Sequence, residues 1–293
     1  MAPRLPLPTC PTLPVASLVP REPAPFTLIY ASHARWPLPP DTSGPPDKHR
    51  RLRVCVLESS WNPPTLSHVS LAEHCANADA HLLALTIGNP DKGRIDARAA
   101  ALRVEMMREV ARALERRART DGGGGVGAGA WANVAVAVTE APTFTEKSSI
   151  LRGELDALVR AQSGSADAEV RLTFPVGWDT VIRIFAPRYY HPPGPNLASS
   201  MQSLLGTDDS SLVCARRGDV SPEDEAEFLA SEEVQKWVEQ GKVEMFDLPQ
   251  AAREVSSTRV RQAVKEGRWQ DVQRDVPFER VVEIMRREGL YRE

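Results

Sequence analysis

Two hydrophobic periods alternate along the chain. Short apolar runs rich in β-branched residues and leucine read as buried strands: Arg53-Val54-Cys55-Val56-Leu57, His81 to Ile87, Val134 to Val138, Val170 to Val176, Ser211 to Ala215 and Lys242 to Phe246. Between them apolar residues recur at helical spacing. The stripes are Leu66, Val69, Ala72, Cys75; then Leu102, Met106, Val110, Ala113, Leu114; then Ile150, Leu151, Leu155, Leu158; then Val181, Ile182, Ile184, Phe185; then Phe228, Leu229, Val234, Trp237. Strands alternating with helices predict an α/β fold built on a parallel sheet, closed by a small helical tail from Trp269 to Tyr291. Helix boundaries follow from the flanking residues. Pro63 and Pro64 suit a first helical turn that runs on to about Asn77, Asp96 caps the next helix, and Ser148 and Ser221 cap two more.

With 293 residues and 42% hydrophobic content the chain can fill one large core. Residues 1–50 differ from the rest, holding 13 of the 25 prolines. They read as a disordered or extended arm, within which Phe26 to Tyr30 could dock as an edge strand. The folded domain is then expected over 51–293. Gly122 to Gly129 reads as a surface loop, and the Pro-, Gly- and Ser-rich stretch 186–210, opening on Tyr189, Tyr190 and His191, as a mobile lid or insertion. A net charge of −3 gives no bulk attraction to nucleic acid or to an anionic membrane, and no apolar run is long enough to span a bilayer. The four cysteines lack metal-ligand spacing and point to a reducing compartment. The basic cluster from Lys48 to Arg53 reads as a linker rather than a nuclear signal. A cytoplasmic protein is expected, one that could also enter the nucleus.

Ligands collect at the carboxyl ends of strands in open α/β sheets, and the free N–H groups of helix N-termini suit phosphate. The segment Ser59-Ser60-Trp61-Asn62-Pro63-Pro64-Thr65-Leu66-Ser67-His68 is such a strand–turn–helix junction, with Thr65 and His68 one turn apart. Lys92 and Arg94, after the second strand, are either phosphate contacts or solvated cations. Glu140 to Ser148 is either an acceptor-binding loop or a helix entry. At Gly177-Trp178-Asp179 the glycine permits close approach to a ligand, and Asp179 either accepts from hydroxyls or caps a helix. In Val255-Ser256-Ser257-Thr258-Arg259-Val260-Arg261 the hydroxyls of Ser256, Ser257 and Thr258 gather at a helix start, with Arg261 returning one turn later. Helix capping alone also accounts for the Ser-Ser-Thr run.

These segments carry a resemblance. Ser59 to His68 resembles the first signature of the nucleotidyltransferase superfamily. It is similar specifically to the nicotinamide-nucleotide adenylyltransferase branch, Gly-Ser-Phe-Asn-Pro-Pro-Thr-x-x-His, with Ser59 in place of Gly and Trp61 in place of Phe. Thr65 stands where cytidylyltransferases usually have His. About 190 residues downstream, Val255 to Arg261 resembles the second signature, Ile-Ser-Ser-Thr-x-Ile/Val-Arg. Gly177-x-Asp179 is similar to the family's ATP-adenosine contact, Lys92 to its basic residue after the second strand, and Arg216 to its arginine after the fifth. The long N-terminal arm resembles fungal representatives, and the likeness covers roughly residues 52 to 291.

The resemblance implies a Rossmann-like parallel sheet of the nucleotidyltransferase type. It implies transfer of AMP from ATP to nicotinamide mononucleotide, giving NAD and pyrophosphate, with Mg²⁺ carried on ATP rather than in a protein cage. His68 and Arg261 would be catalytic. Ser59, Ser60, Trp61, Thr65, His68, Lys92, Gly177, Asp179, Arg216, Ser256, Ser257, Thr258 and Arg261 would bind the nucleotide, with His68 and Thr65 at the α/β-phosphates. The competing expectations are a cytidylyltransferase or phosphopantetheine-type adenylyltransferase, an ATP hydrolase, and an ATP-binding regulatory protein on the same scaffold.

Overall fold

Val54 and Val56 face one side of the central strand and Cys55 and Leu57 the other, and all four are buried. A strand buried on both faces needs a helical layer on each, and the rest of the chain supplies two. The computed structural model describes residues 25–40, 51–75, 77–89, 93–120, 130–190, 194–216 and 220–293. Its main sheet has seven strands: β1 (Phe26–Ala31), β2 (Leu52–Ser59), β3 (Ala80–Thr86), β4 (Val134–Thr139), β5 (Val170–Gly177), β6 (Ser211–Arg216) and β7 (Val243–Asp247). The spatial order is β1-β4-β3-β2-β5-β6-β7. All neighbours are parallel except β1, which runs antiparallel along the edge of β4. The chain runs from β2 outward to β4, then returns to lay β5 on the opposite side of β2. That reversal opens a crevice at the carboxyl ends of β2 and β5, beyond Ser59 and Gly177.

One face of the sheet is covered by α1 (Leu66–Glu73) and α2 (Ala97–Thr120), and by the C-terminal α9 (Ser257–Lys265), α10 (Trp269–Asp275) and α11 (Glu279–Arg287). The other is covered by α3 (Phe144–Ser163), α4 (Trp178–Ile184), α5 (Leu197–Met201) and α7 (Glu232–Glu239). The intervening helices are α6 (Pro222–Ala230) and the single turn α8 (Gln250–Arg253). This is the α/β sheet with a C-terminal helical region that the sequence pattern predicts. Asp96 and Ser221 cap α2 and α6 as expected, accepting from the N–H groups of Ala99 and Asp224.

Several expectations need correction. The first 50 residues are not wholly an arm. Phe26 to Tyr30 does form the edge strand, and just beyond it Trp36 and Leu38 are buried in the core. Asn133 donates to the Pro37 carbonyl and Gln162 to that of Trp36, fixing the segment to the domain. The folded unit therefore includes residues 25–40, while 1–24 and 41–50 lie outside the described residues. Pro63 and Pro64 precede α1 instead of opening it. Thr65 takes the N-cap, and the helix stops at Glu73. Thr143, not Ser148, caps α3, since its hydroxyl already accepts from the Glu146 N–H. Ser148 is buried inside that helix against Ser210. Most of 186–210 is neither lid nor loose insertion: Leu197, Met201, Leu204 and Leu205 are core residues. The Gly run 122–129 lies outside the described residues.

One buried ion pair ties α3 to the central strand near the crevice. Lys147, on α3, has a side chain only 4% exposed and reaches within 3.4 Å of Glu58 at the end of β2. Its ammonium also lies 4.6 Å from the centre of the Phe144 ring. Replacing Lys147 with Met leaves the Glu58 carboxylate without its counter-charge and is expected to cost about 3–5 kcal/mol of unfolding free energy in urea denaturation, with Glu58→Gln in the same chain restoring much of it. Trp36→Ala is expected to cost a similar amount, about 3–5 kcal/mol, by removing a fully packed indole. A loss within experimental error would return residues 25–40 to the arm.

Candidate functional site

The turn between β2 and α1 builds the site from its backbone outward. Trp61 has φ 49°, a left-handed conformation unusual for a side chain of that size. Its indole is completely buried, donates from Nε1 to the Ala84 carbonyl at 2.7 Å, and stacks on the His68 ring at 5.0 Å. At the N-cap, the Thr65 N–H donates to His68 Nδ1 at 3.1 Å, and the Thr65 hydroxyl lies 2.8 Å from the same nitrogen. The other ring nitrogen, Nε2, is 2.9 Å from Ser59 Oγ. His68 is thus gripped on one face and at both nitrogens.

The second motif docks directly on this turn. Ser256 caps α9 by accepting from the Arg259 N–H. Ser257 donates its hydroxyl to the Pro63 carbonyl at 2.8 Å. Arg261 donates to the Asn62 carbonyl at 2.8 Å and to Thr258 Oγ1 at 3.0 Å. From the C-terminal tail, Tyr291 donates to Asn62 Oδ1 at 2.8 Å. Burial pushes its phenol up to about 12, so it keeps its proton at any physiological pH.

The result is a cavity of about 600 Å³ at the crevice. Three helix N-termini contribute to its wall: α1 through His68, α4 through Gly177, Trp178 and Asp179, and α9 through Ser256, Ser257 and Thr258. Each brings a first helical turn with its positive dipole end toward the cavity. Arg94, Arg103, Arg183 and Arg261 also line it, against the acids Glu58, Asp96 and Asp179. Glu58 is neutralised by Lys147, and Asp96 is engaged as a helix cap. Arg94 is likewise paired, with Glu140, so the cations in excess of the acids are few, and with the helix N-termini they favour an anionic ligand. Beside it lies a chamber of about 310 Å³, sharing Glu58, Ser59, Ser60, Thr86, Thr180 and Arg183 with the first and walled by Phe144, Tyr189 and Tyr190.

Of the residues the sequence nominates, Ser59, Ser60, His68, Gly177, Asp179, Ser256, Ser257, Thr258 and Arg261 come together on this cavity. Gly177 has φ −86°, so the backbone does not require glycine; its contribution is a wall without a side chain. Three nominations fall elsewhere. Trp61 and Thr65 are fully buried and act on His68, not on the cavity. Arg216 is paired with Glu225 at 2.8 Å and lies 3.5 Å from Asp247; the Glu225 bonds raise its pKa. Lys92 lies outside the described residues. Arg94 lines the cavity while bonded to Glu140 at 2.7 Å. The sequence reading missed Arg103, which reaches from α2 to the Ser60 carbonyl at 3.1 Å and whose pKa burial lowers. It also missed Asn62, Arg183 and Glu58. Arg103 carries no signal in the pattern, since an arginine on an amphipathic helix ordinarily faces water.

No protein-family model and no curated protein matches the chain. Solved structures do. The chain is similar to Plasmodium falciparum nicotinic acid mononucleotide adenylyltransferase complexed with APC, at 12% identity and a TM-score of 0.51, covering 82% of this chain and 98% of that one. It is likewise similar to the same organism's enzyme complexed with NaAD, at 13% identity and a TM-score of 0.52, with the same coverage. The chain has the Rossmann-like fold of these nucleotidyltransferases over most of its length.

Proposed function

We propose that this protein transfers AMP from ATP to nicotinamide mononucleotide, releasing pyrophosphate and forming NAD. One observation carries the reading: two segments about 190 residues apart, each resembling a signature of the same family, bond to one another and line a single cavity. The two joined chambers fit a reaction with two nucleotide substrates. ATP occupies the larger, with its distal phosphates at the N-terminus of α9 and at Arg261. The acceptor places its ring between Phe144, Tyr189 and Tyr190 in the smaller, and its phosphate at the shared wall by Ser59 and Ser60. The neighbouring structures add support, being named as adenylyltransferases of a pyridine mononucleotide, one of them complexed with NaAD.

An oxygen of the acceptor's 5′-phosphate forms a bond to the α-phosphorus of ATP, and the bond from that phosphorus to the bridging oxygen breaks, releasing pyrophosphate. The acceptor phosphate is already a nucleophile, so the protein's contribution is alignment and charge stabilisation. Arg261 and the α9 N–H groups take up charge developing on the leaving pyrophosphate. Among the described residues no group of three or more His, Cys, Asp or Glu side chains could hold a metal ion. The solitary carboxylates of Asp96 and Asp179 fit Mg²⁺ that enters on the triphosphate and is held mainly by phosphate oxygens and water, where it would neutralise phosphate charge.

Purified protein given ATP, Mg²⁺ and nicotinamide mononucleotide is expected to form NAD, with nicotinate mononucleotide as the comparison acceptor. His68→Ala is expected to lower the rate at least about tenfold, and by up to the roughly 10² to 10³ that one charge-stabilising donor can contribute. ADP without NAD would replace transfer by hydrolysis. ATP binding with neither product would make the protein a nucleotide-binding regulator.

A further inference from the structure

Ser59 stands where the resembled signature has glycine, and its hydroxyl occupies a particular place. A backbone N–H can only donate, so the Thr65 N–H at 3.1 Å assigns His68 Nδ1 as an acceptor. The Thr65 hydroxyl, 2.8 Å from that nitrogen, donates alongside. A neutral imidazole with an accepting Nδ1 carries its proton on Nε2. Nε2 therefore donates to Ser59 Oγ at 2.9 Å. Stacking of the ring on the buried Trp61 indole, itself anchored to Ala84, holds this orientation.

Two consequences follow. His68 cannot act as a base toward Ser59, because its Nε2–H donates a hydrogen bond to that oxygen instead of accepting one from it. A covalent intermediate on Ser59 is thereby disfavoured. The second concerns reach. With glycine at 59 the Nε2–H would face the cavity directly, whereas here the serine hydroxyl is interposed. Ser59 lines both chambers, at the wall where they join. Its Oγ accepts from His68 and retains a proton of its own to donate.

We infer that Ser59 is a relay: its hydroxyl is the direct donor to the phosphate at the junction of the chambers, and His68 is a positioning residue that polarises and aims it. This rests on the nucleotide reading of the cavity. A hydroxyl that accepts from an imidazole N–H is a stronger donor through its own proton, since hydrogen bonds in a chain polarise one another. The Thr65–His68–Ser59 chain thus delivers the dipole of the α1 N-terminus one residue further than His68 alone could.

A double-mutant cycle on the full chain tests this. Ser59→Ala, His68→Ala and the double variant are each expected to lower the NAD-forming rate by a similar factor, about 10², because two residues acting through one contact are not additive. If His68→Ala alone slows the reaction while Ser59→Ala or Ser59→Gly leaves it unchanged or faster, His68 touches the phosphate itself and the relay is wrong. A double variant whose loss equals the product of the single losses also overturns it. Should the protein bind ATP without forming NAD, the proposed transfer fails but the cycle is read on the ATP dissociation constant, and the same non-additivity is expected there. Long-range ¹H–¹⁵N spectra of the His68 ring supply a readout independent of activity. They are expected to show the proton on Nε2 and a shift of that resonance in Ser59→Ala; a proton on Nδ1 would remove the basis of the inference.

Discussion

The carbonyls of Asn62 and Pro63 are the point on which the site depends. Proline has no N–H to offer, so Pro63 and Pro64 cannot complete the turn through their own nitrogens. Its carbonyls are satisfied from a distant part of the chain, by Arg261 and Ser257 of α9. The first of these bonds is charge-assisted, the stronger kind. Arg103 from α2 takes the Ser60 carbonyl, and Tyr291 from the tail takes the Asn62 side chain. Four donors from three remote segments thus converge on three residues of one turn, Ser60, Asn62 and Pro63. The cavity walls cannot form separately, because the turn and α9 complete one another's hydrogen bonding.

The second layer of support is local. His68 lies in the first turn of α1, where N–H groups lack helical partners. Its side chain satisfies one of them by accepting from Thr65, and the same bond fixes which ring nitrogen bears the proton. Capping and positioning are one interaction here. Trp61 adds a stacking face, and it holds a left-handed backbone that ordinarily costs about 1–2 kcal/mol, a cost that full burial of the indole and its bond to Ala84 can offset.

What the sequence made legible was whatever depends on period. Alternating apolar runs located the strands, and the two strand-to-helix junctions pointed to the cavity at the crevice. What it concealed depends on direction. Thr65 and His68 are neighbours on a helix turn, yet one turns inward to cap and the other reaches the cavity. Arg216 follows a strand end like a phosphate ligand, but Glu225, one helix later, claims it. Residues 25–40 look like an arm by proline content, although Trp36 and Leu38 find a core that only the folded sheet provides. The small-residue stretch near 200 likewise hides Leu204 and Leu205, too few apolar positions to form a recognisable stripe.

The chemistry of the walls limits what the cavity can do. Cys55, Cys75 and Cys214 are buried, and burial pushes the Cys214 thiol up to about 12 and raises that of Cys55 as well. A thiolate nucleophile is not on offer there. Ser59 accepts a hydrogen bond from His68 Nε2–H and so has no base beside it in that residue. Apart from the carboxylates of Glu58, Asp96 and Asp179, what remains around the cavity is a set of donors: helix N-termini, hydroxyls and guanidinium groups. Such a set stabilises charge on phosphates without forming a bond to them. A reaction suited to this equipment is one in which a substrate brings its own nucleophile, as the proposed transfer to an acceptor phosphate requires.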